Sequence, residues 1–213
     1  MPADYEIDPQ VIERESFRQI RQLADLDGFD KTQQQVVMRI IHSLGMPEVA
    51  GSVRFSTNAC AAGIAALERD CPILCDVEMV KQGVTRRLRE TAPLCYLNHE
   101  RVPALARARG ETRSMAALEL WQSELAESLV LIGNAPTALY RLLEMLEDGV
   151  DKPALVIAMP VGFVGAAESK QRLWDSHQRL GLECITLLGR QGGSAVTSAS
   201  CNALLRCINH EWY

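Results

Sequence analysis

The chain reads Leu129-Val130-Leu131-Ile132-Gly133-Asn134-Ala135-Pro136, four apolar residues followed by a glycine turn and a proline, before a helical pattern begins. The same arrangement occurs twice more, where the apolar runs Ala154–Met159 and Cys184–Leu188 precede the turns Pro160–Gly165 and Gly189–Ser194. Short apolar runs that alternate with helical patterns are typical of buried parallel strands. Right-handed crossovers then place all three turns at the carboxyl edge of one sheet, where open α/β sheets bind ligands.

The rest of the chain extends this alternation. The first 45 residues predict two helices, Asp8–Ala24 and Lys31–Leu44, the second capped by Asp30 and ended by Gly45. We expect a single domain over residues 1–213 of the α/β class, with three layers, a mainly parallel sheet, helices on both faces and additional N-terminal helices. Further predicted strands are Val53–Phe55, Pro72–Asp76 and Leu94–Asn98, and further predicted helices are Thr112–Ala126, Pro136–Glu147, Gly165–His177 and Gly193–Asn209.

Composition and charge argue against several classes of protein. A net charge of −5 does not suit a protein that binds nucleic acid by neutralising phosphates. No run approaches the roughly 20 apolar residues of a membrane helix, and Met1–Gln10 lacks the regions of a signal peptide, so we expect a cytoplasmic protein. Seven cysteines without a C-x-x-C pair predict free buried thiols and no bound metal.

His42 has a position on its helix that allows a chemical role. On a helical wheel Val36, Ile40 and their apolar neighbours form one stripe, and His42 falls nearly opposite, beside Gln35 and Arg39. A solvated histidine near a helix end is the plainer interpretation. A role in proton transfer requires another element or a second subunit to cover this face and form a pocket around the imidazole.

Ser16 places a hydroxyl on the predicted apolar face of the first helix, which it shares with Ile12, Ile20 and Leu23. A buried hydroxyl needs a hydrogen-bond partner. It either bonds to its own backbone and permits close packing, or it contacts a ligand.

Three cations lie near the turns. Arg113 follows Thr112, a plausible N-cap, and so falls in the first turn of a helix, where the dipole disfavours a cation unless an anion binds there. Lys170 follows the second turn and Arg190 lies in the third. For all three residues a solvated surface cation is the alternative, which for Arg113 means a side chain that reaches past the helix end. Because the turns lack the G-x-G-x-x-G and Walker A spacings, they indicate a broad polyanionic ligand rather than a nucleotide.

Four segments, in their order and spacing, resemble the precorrin-8X methylmutase (precorrin isomerase) family of cobalamin biosynthesis: Thr112–Ala117, Gly133–Leu139, Pro160–Lys170 and Gly189–Ser194. The first and the last of these lean towards the cobalt-precorrin branch of the family. The likeness spans almost the whole chain, because it also includes Ile12-x-x-x-Ser16-Phe17-x-x-Ile20, Arg39–His42, Asp76, Met79 and Gly83.

The resemblance implies an isomerase that moves a methyl group from C-11 to C-12 of precorrin-8X or cobalt-precorrin-8, giving hydrogenobyrinate or cobyrinate without a cofactor. It implies that His42 is the catalytic proton donor, that Ser16 contacts the substrate, and that a homodimer holds the tetrapyrrole near the subunit interface. The substrate carries acetate and propionate arms, which need cations and backbone N–H groups. The expected substrate-binding residues are therefore Ser16, Thr112, Arg113, Gly133, Asn134, Lys170, Arg190 and Ser194.

Two other functions stay open. A non-catalytic corrinoid-binding carrier would use the same pocket without turnover. His42 distinguishes the two functions, because a carrier gains little from a titratable side chain placed over the tetrapyrrole ring. A generic Rossmann-like phosphate-binding protein is the second, although the spacing of the turns does not fit it.

Overall fold

The computed structural model describes residues 5–213, and within them two initial helices are followed by six strands and seven further α-helices that mostly alternate. The strands are β1 (Val53–Phe55), β2 (Ile73–Cys75), β3 (Leu94–Cys95), β4 (Leu129–Ile132), β5 (Leu155–Ala158) and β6 (Cys184–Leu187). The helices are α1 (Pro9–Leu23), α2 (Lys31–Leu44), α3 (Ala59–Glu68), α4 (Glu78–Gly83), α5 (Val102–Arg109), α6 (Arg113–Ala117), α7 (Pro136–Glu147), α8 (Ala166–Leu180) and α9 (Ser194–Ile208).

The six strands form one sheet in the order β1-β6-β5-β4-β2-β3. All neighbours are parallel except β1, which runs antiparallel to β6 at the sheet edge. From β2 the chain continues to β3 at one edge of the sheet, whereas from β4 it continues through β5 and β6 towards the other edge. The direction of winding therefore reverses between β2 and β4. The prediction of a mainly parallel sheet is confirmed.

Alternate side chains of each strand enter two separate cores, as the period of a strand requires. Leu129 and Leu131 of β4 join the core formed with α2, α3 and α9, whereas Val130 and Ile132 join the core formed with α7 and α8. Both faces of the sheet are therefore covered by helices, which confirms the predicted three layers. The sheet then fixes where the three glycine turns lie.

The predicted helix Thr112–Ala126 is the element that differs most. It is a five-residue α-helix, α6, followed by a 3-10 turn at Leu118–Trp121. Leu118, Trp121 and Leu125 are fully buried. The three-residue step from Leu118 to Trp121 suits the tighter 3-10 turn as well as it suits an α-helix, so the apolar pattern could not separate the two. The predicted strand Leu94–Asn98 is likewise shorter, ending at Cys95.

All seven cysteines are free thiols. Cys95 is half-buried and the other six are buried. Burial raises the pKa of every one of them, for example to about 12 for Cys60 and Cys201. Among residues 5–213 no cluster of three or more Cys, His, Asp or Glu side chains is placed to hold a metal ion. Over the same residues, no helix has both the length and the apolar character needed to cross a bilayer.

Candidate functional site

The turns after β5 and β6 are in direct contact at the carboxyl edge of the sheet. Gly193 N donates to Met159 O at 2.8 Å, and Gly162 N donates to Arg190 O at 3.2 Å. A Cβ atom on Gly192 would lie 2.2 Å from Met159 O, and the φ angle of Gly192 is +151°. Only glycine permits this approach of two backbones.

The turn after β4 meets the start of α9 at the same edge. A Cβ atom on Gly133 would lie 2.9 Å from Ser194 Cα, so glycine is again needed for the close approach. Thr112, the N-cap of α6, brings a further element here, because its Oγ1 lies 2.9 Å from Oγ1 of Thr137 in the first turn of α7. The expected convergence of the three turns at one edge is confirmed.

The N–H groups of the turn after β4 are already engaged. The carboxylate of Asp76, directly after β2, accepts hydrogen bonds from Gly133 N at 3.0 Å, Asn134 N at 2.9 Å and Ala135 N at 2.8 Å. Burial raises the pKa of the Asp76 carboxyl, and the three N–H donors act in the opposite direction. In this turn the exposed group that a ligand can reach is therefore the side chain of Asn134, not the backbone of Gly133.

The helices that follow the other two turns begin differently. Gly165 is the N-cap of α8 and Gly193 is the N-cap of α9, and no side chain among residues 5–213 caps either helix. The first N–H groups of both fifteen-residue helices therefore remain available to an anion. The buried Ser194 is the first residue of α9.

Lys170 lies beneath the third turn rather than on its surface. Its side chain is fully buried, and Nζ donates to Gln191 O at 2.5 Å. Burial lowers the pKa of Lys170 to about 8. Gln191 in turn places its Nε2 3.5 Å from Sδ of Met46, just beyond the end of α2. The third turn is thereby connected to the end of α2, where His42 lies.

Arg113 and Arg190 are both exposed. Arg113 donates through Nη2 to Leu97 O and to Asn98 Oδ1, both at 2.9 Å, so protein acceptors account for its position without a bound anion. Arg190 lies 5.8 Å from the ring centroid of Phe163. Phe163 and its neighbour Val164 are 86% and 88% exposed, so the rim offers an apolar surface beside a cation.

His42 lies in the last turn of α2 with its ring stacked on Phe17 of α1, the centroids 5.1 Å apart and the planes 16° apart. The residue is otherwise exposed. Partial burial of the imidazole lowers the pKa of His42, the positive charge of Arg39 lowers it further, and the charge of Glu13 opposes both effects. The cover that this face of α2 was expected to need is thus supplied in part by α1 of the same chain.

Ser16 is only half-buried, so the predicted apolar face of α1 is wrong in detail. Ile12 and Leu23 are exposed, whereas Phe17 and Ile20 are buried. The helix is rotated so that Phe17 enters the space between α1 and α2 and stacks there. Ser16 instead lines a shallow cavity of about 300 Å³ together with Ile12, Glu15 and Gln19.

Three residues around His42, namely Glu13, Phe17 and Tyr213, were not predicted from the sequence to lie in this place. Glu13 and Phe17 are four residues apart on α1 and share a face with Ile20, a spacing that could have pointed to this side of the helix. Tyr213 stacks on Phe17 with centroids 3.7 Å apart, and no local pattern places it there.

Comparison with known proteins identifies the family of the chain. A sequence model of the family described as Precorrin-8X methylmutase matches residues 11–207. Precorrin-8X methylmutase of Pseudomonas aeruginosa is 49% identical over 203 residues, covering 94% of this chain and 97% of that protein. Cobalt-precorrin-8 methylmutase of Salmonella typhimurium is 37% identical over 208 residues, covering 92% of this chain and 94% of that protein.

A solved structure of precorrin-8x methyl mutase from Thermus thermophilus has the same fold. It superposes with a TM-score of 0.84 at 36% identity, and the match covers 96% of this chain and 98% of that one. Sequence and fold agree over nearly the full length, and the chain belongs to the precorrin-8X methylmutase family.

Proposed function

We propose that this chain is an isomerase of cobalamin biosynthesis that moves a methyl group from C-11 to C-12 of precorrin-8X, giving hydrogenobyrinate, with His42 as the proton donor. The observation that carries the proposal is the contact of the third glycine turn, through Gln191 and Met46, with the end of the helix that bears His42. A ligand held on the rim would then lie beside the end of α2, and in this proposal the His42 imidazole approaches it from that side.

The rim has the chemistry that a flat, carboxylate-fringed macrocycle requires. Phe163 and Val164 offer apolar surface, and the exposed guanidinium of Arg190 lies beside them. The uncapped starts of α8 and α9 supply N–H donors for carboxylate arms. Further polar groups along the edge of the sheet come from Thr112, Arg113 and the side chain of Asn134. Ser16 adds a hydroxyl from α1. Lys170 contributes by holding Gln191 rather than by touching an arm.

The pKa of His42 suits a group that gives up a proton readily. Because partial burial and Arg39 lower it, the imidazolium is a stronger acid than free histidine. Carboxylate arms near the ring favour the protonated form when the substrate binds. Transfer of the proton to a ring nitrogen makes the macrocycle electron-poor, which lowers the barrier to methyl migration, and the proton returns to His42 afterwards.

A substrate without cobalt is favoured. The relative named precorrin-8X methylmutase is 49% identical, against 37% for the one named cobalt-precorrin-8 methylmutase. This difference outweighs the lean of Thr112–Ala117 and Gly189–Ser194 towards the cobalt branch. The mass of the chromophore that co-purifies when the upstream enzymes are co-expressed tests the assignment, since a bound cobalt ion adds its mass to the macrocycle.

A homodimer completes the site in this proposal. His42 is exposed in the single chain, and a second copy would cover its open side and exclude water. The enzyme would act in the cytoplasm without nucleic acid as a partner, in keeping with the net charge of −5. Analytical ultracentrifugation with and without the tetrapyrrole tests the dimer, and a monomer at all concentrations would contradict it.

The test of the acid role is His42→Ala. Removal of a general acid is expected to lower kcat about 10²- to 10⁴-fold. The dissociation constant for hydrogenobyrinate, measured from the absorbance change on binding, should stay within a few-fold of the parental value. His99→Ala, beside β3 at the far edge of the sheet, is the matched control and should keep the parental rate. Turnover of precorrin-8X by His42→Ala at the parental rate would refute the role, and binding without conversion by the parent would indicate a carrier.

A further inference from the structure

Tyr213 forms part of a stack of three near-parallel rings that ends at His42. The rings of Tyr213 and Phe17 lie 3.7 Å apart at 13°, and those of Phe17 and His42 lie 5.1 Å apart at 16°. Phe17 is buried, so its position is set by its neighbours. A change at Tyr213 is therefore transmitted to the ring on which His42 rests.

Tyr213 is held in this stack by hydrogen bonds to both helices. Its N donates to Gln35 Oε1 of α2 at 3.0 Å, and its carbonyl oxygen accepts from Gln35 Nε2 at 3.4 Å. Its hydroxyl donates to Glu13 Oε1 of α1 at 2.9 Å, and Arg21 of α1 also donates to its carbonyl oxygen. These contacts tie α1 and α2 together next to the histidine.

The same residue lies among the charges that act on His42. Glu13 Oε1 accepts from Arg39 Nη2 at 2.8 Å as well as from the Tyr213 hydroxyl. The guanidinium carbons of Arg39 and Arg206 lie 4.5 and 5.4 Å from the centroid of the Tyr213 ring. The charged groups around this corner are therefore Glu13 from α1, Arg39 from α2, Arg206 from α9, and Glu211, which pairs with Arg206 and Arg87.

We propose that Tyr213 is a positioning residue for the reaction: by stacking on Phe17 and bonding to Glu13, it fixes the plane of the His42 ring and the charges beside it. The inference depends on the proposed role of His42. Tyr213 does not act as an acid or base here. Its effect passes through Phe17 and Glu13, so it should appear in kcat and in the titration of His42 rather than in substrate binding.

The first experiment compares Tyr213→Ala, Tyr213→Leu and Tyr213→Phe. Alanine and leucine remove the planar ring, and we expect each to lower kcat about 10-fold with KM within about 3-fold. Phenylalanine keeps the stack and loses only the bond to Glu13, so we expect a smaller loss of kcat than in the other two variants, about 3-fold. Parental kcat in Tyr213→Leu would show that apolar filling is sufficient and would overturn the proposal, even if Tyr213→Ala failed to fold.

The second experiment measures the pKa of His42 by NMR, which needs no turnover. The protein has four histidines, and the resonance absent from His42→Ala identifies the one required. The imidazole is covered by Phe17, and loss of the Tyr213 ring leaves Phe17 without its support on the other face. Water should then reach the imidazole more freely, so the depressed pKa of His42 should rise towards its ordinary value in Tyr213→Ala. An unchanged titration would overturn the proposal, whereas full activity of His42→Ala would refute the acid role itself.

Trp212→Ala is the matched control for both experiments. Trp212 precedes Tyr213 and lies 4.2 Å beneath Nζ of Lys31 at the other end of α2 from His42. Its loss should leave kcat and the titration of His42 as in the parent. A loss of kcat in Trp212→Ala as large as in Tyr213→Ala would attribute the effect to general loosening of this segment and overturn the proposal.

Discussion

The turn after β4 and the turn after β6 look alike in sequence, because each follows an apolar strand and begins with glycine. The first is held by a buried carboxylate, that of Asp76, and the second by a buried ammonium group, that of Lys170. Asp76 accepts all three N–H groups of Gly133–Ala135, whereas Lys170 donates to a single carbonyl, that of Gln191. The first turn lies where the winding reverses, the crevice in which open sheets usually bind ligands. Here the chain's own carboxylate fills that crevice, and the open N–H donors lie one and two strands away.

A glycine turn can therefore be either an internal contact or a set of free donors. The difference depends on a residue 57 positions distant from Gly133. Three substitutions test how firmly each turn is held by its own partner.

Gly192→Ala should have the largest effect. Its Cβ would lie 2.2 Å from a backbone oxygen at a φ angle of +151°, so the turn after β6 cannot form without displacement of β5. We expect a loss of about 4 kcal/mol or more in the free energy of unfolding, measured by urea denaturation. Gly189→Ala is the control, because at φ +86° its Cβ would meet no atom within 4 Å, and strain alone costs about 1 to 2 kcal/mol. Equal losses would show that the close approach is not what holds the turn.

Asp76→Asn should cost about 3 kcal/mol, because three charge-assisted hydrogen bonds to a buried carboxylate are weakened and an NH₂ group is turned towards N–H donors. Amide exchange should accelerate at Gly133–Ala135 and stay unchanged at residues 194–196. Asp151→Asn, at an exposed position before β5, should change neither quantity. Faster exchange at both helix starts would mean that the two turns are not independent.

Lys170→Met should have the smallest effect, and it depends on pH. The pKa of Lys170 is about 8 in the folded chain against an ordinary 10.5, so between these values the unfolded state binds more protons and the stability of the parent rises with pH. The methionine variant lacks this contribution. The parent should therefore gain about 1 to 2 kcal/mol relative to the variant between pH 8 and 10.5, measured by urea denaturation across that range. Parallel curves would show that the ammonium is not buried when the turn is formed.

The fold was predictable because the apolar periodicity of strands and helices and the residues that cap helices are local features of the sequence. Runs such as Leu129–Ile132 and caps such as Asp30 and Gly45 define strands and helix ends without reference to the rest of the chain. The meeting of the turns at one edge then follows from the handedness of the crossovers. The family resemblance added the proposed role of His42 as proton donor, which periodicity left undecided between a surface residue and a catalytic group.

The details of the site depended on partners that are distant in sequence. Whether Gly133 offers its N–H group was decided by Asp76, and the rotation of α1 that turned Phe17 inward and left Ser16 half-buried placed Phe17 against Tyr213. The hydroxyl of Tyr213 bonds to Glu13 across 200 residues of chain. A helical wheel contains only one helix, so it could not reveal that a ring from the far end of the chain shares this corner.

The cysteines have a practical consequence for studying the rim. Since the thiolate is the species that reacts with maleimides, seven thiols with raised pKa values make the parent protein nearly inert to such reagents at neutral pH. A single cysteine introduced at an exposed serine such as Ser123 could carry a fluorophore without removal of any native thiol. Energy transfer between such a dye and the tetrapyrrole would then report arrival and departure of the pigment in real time.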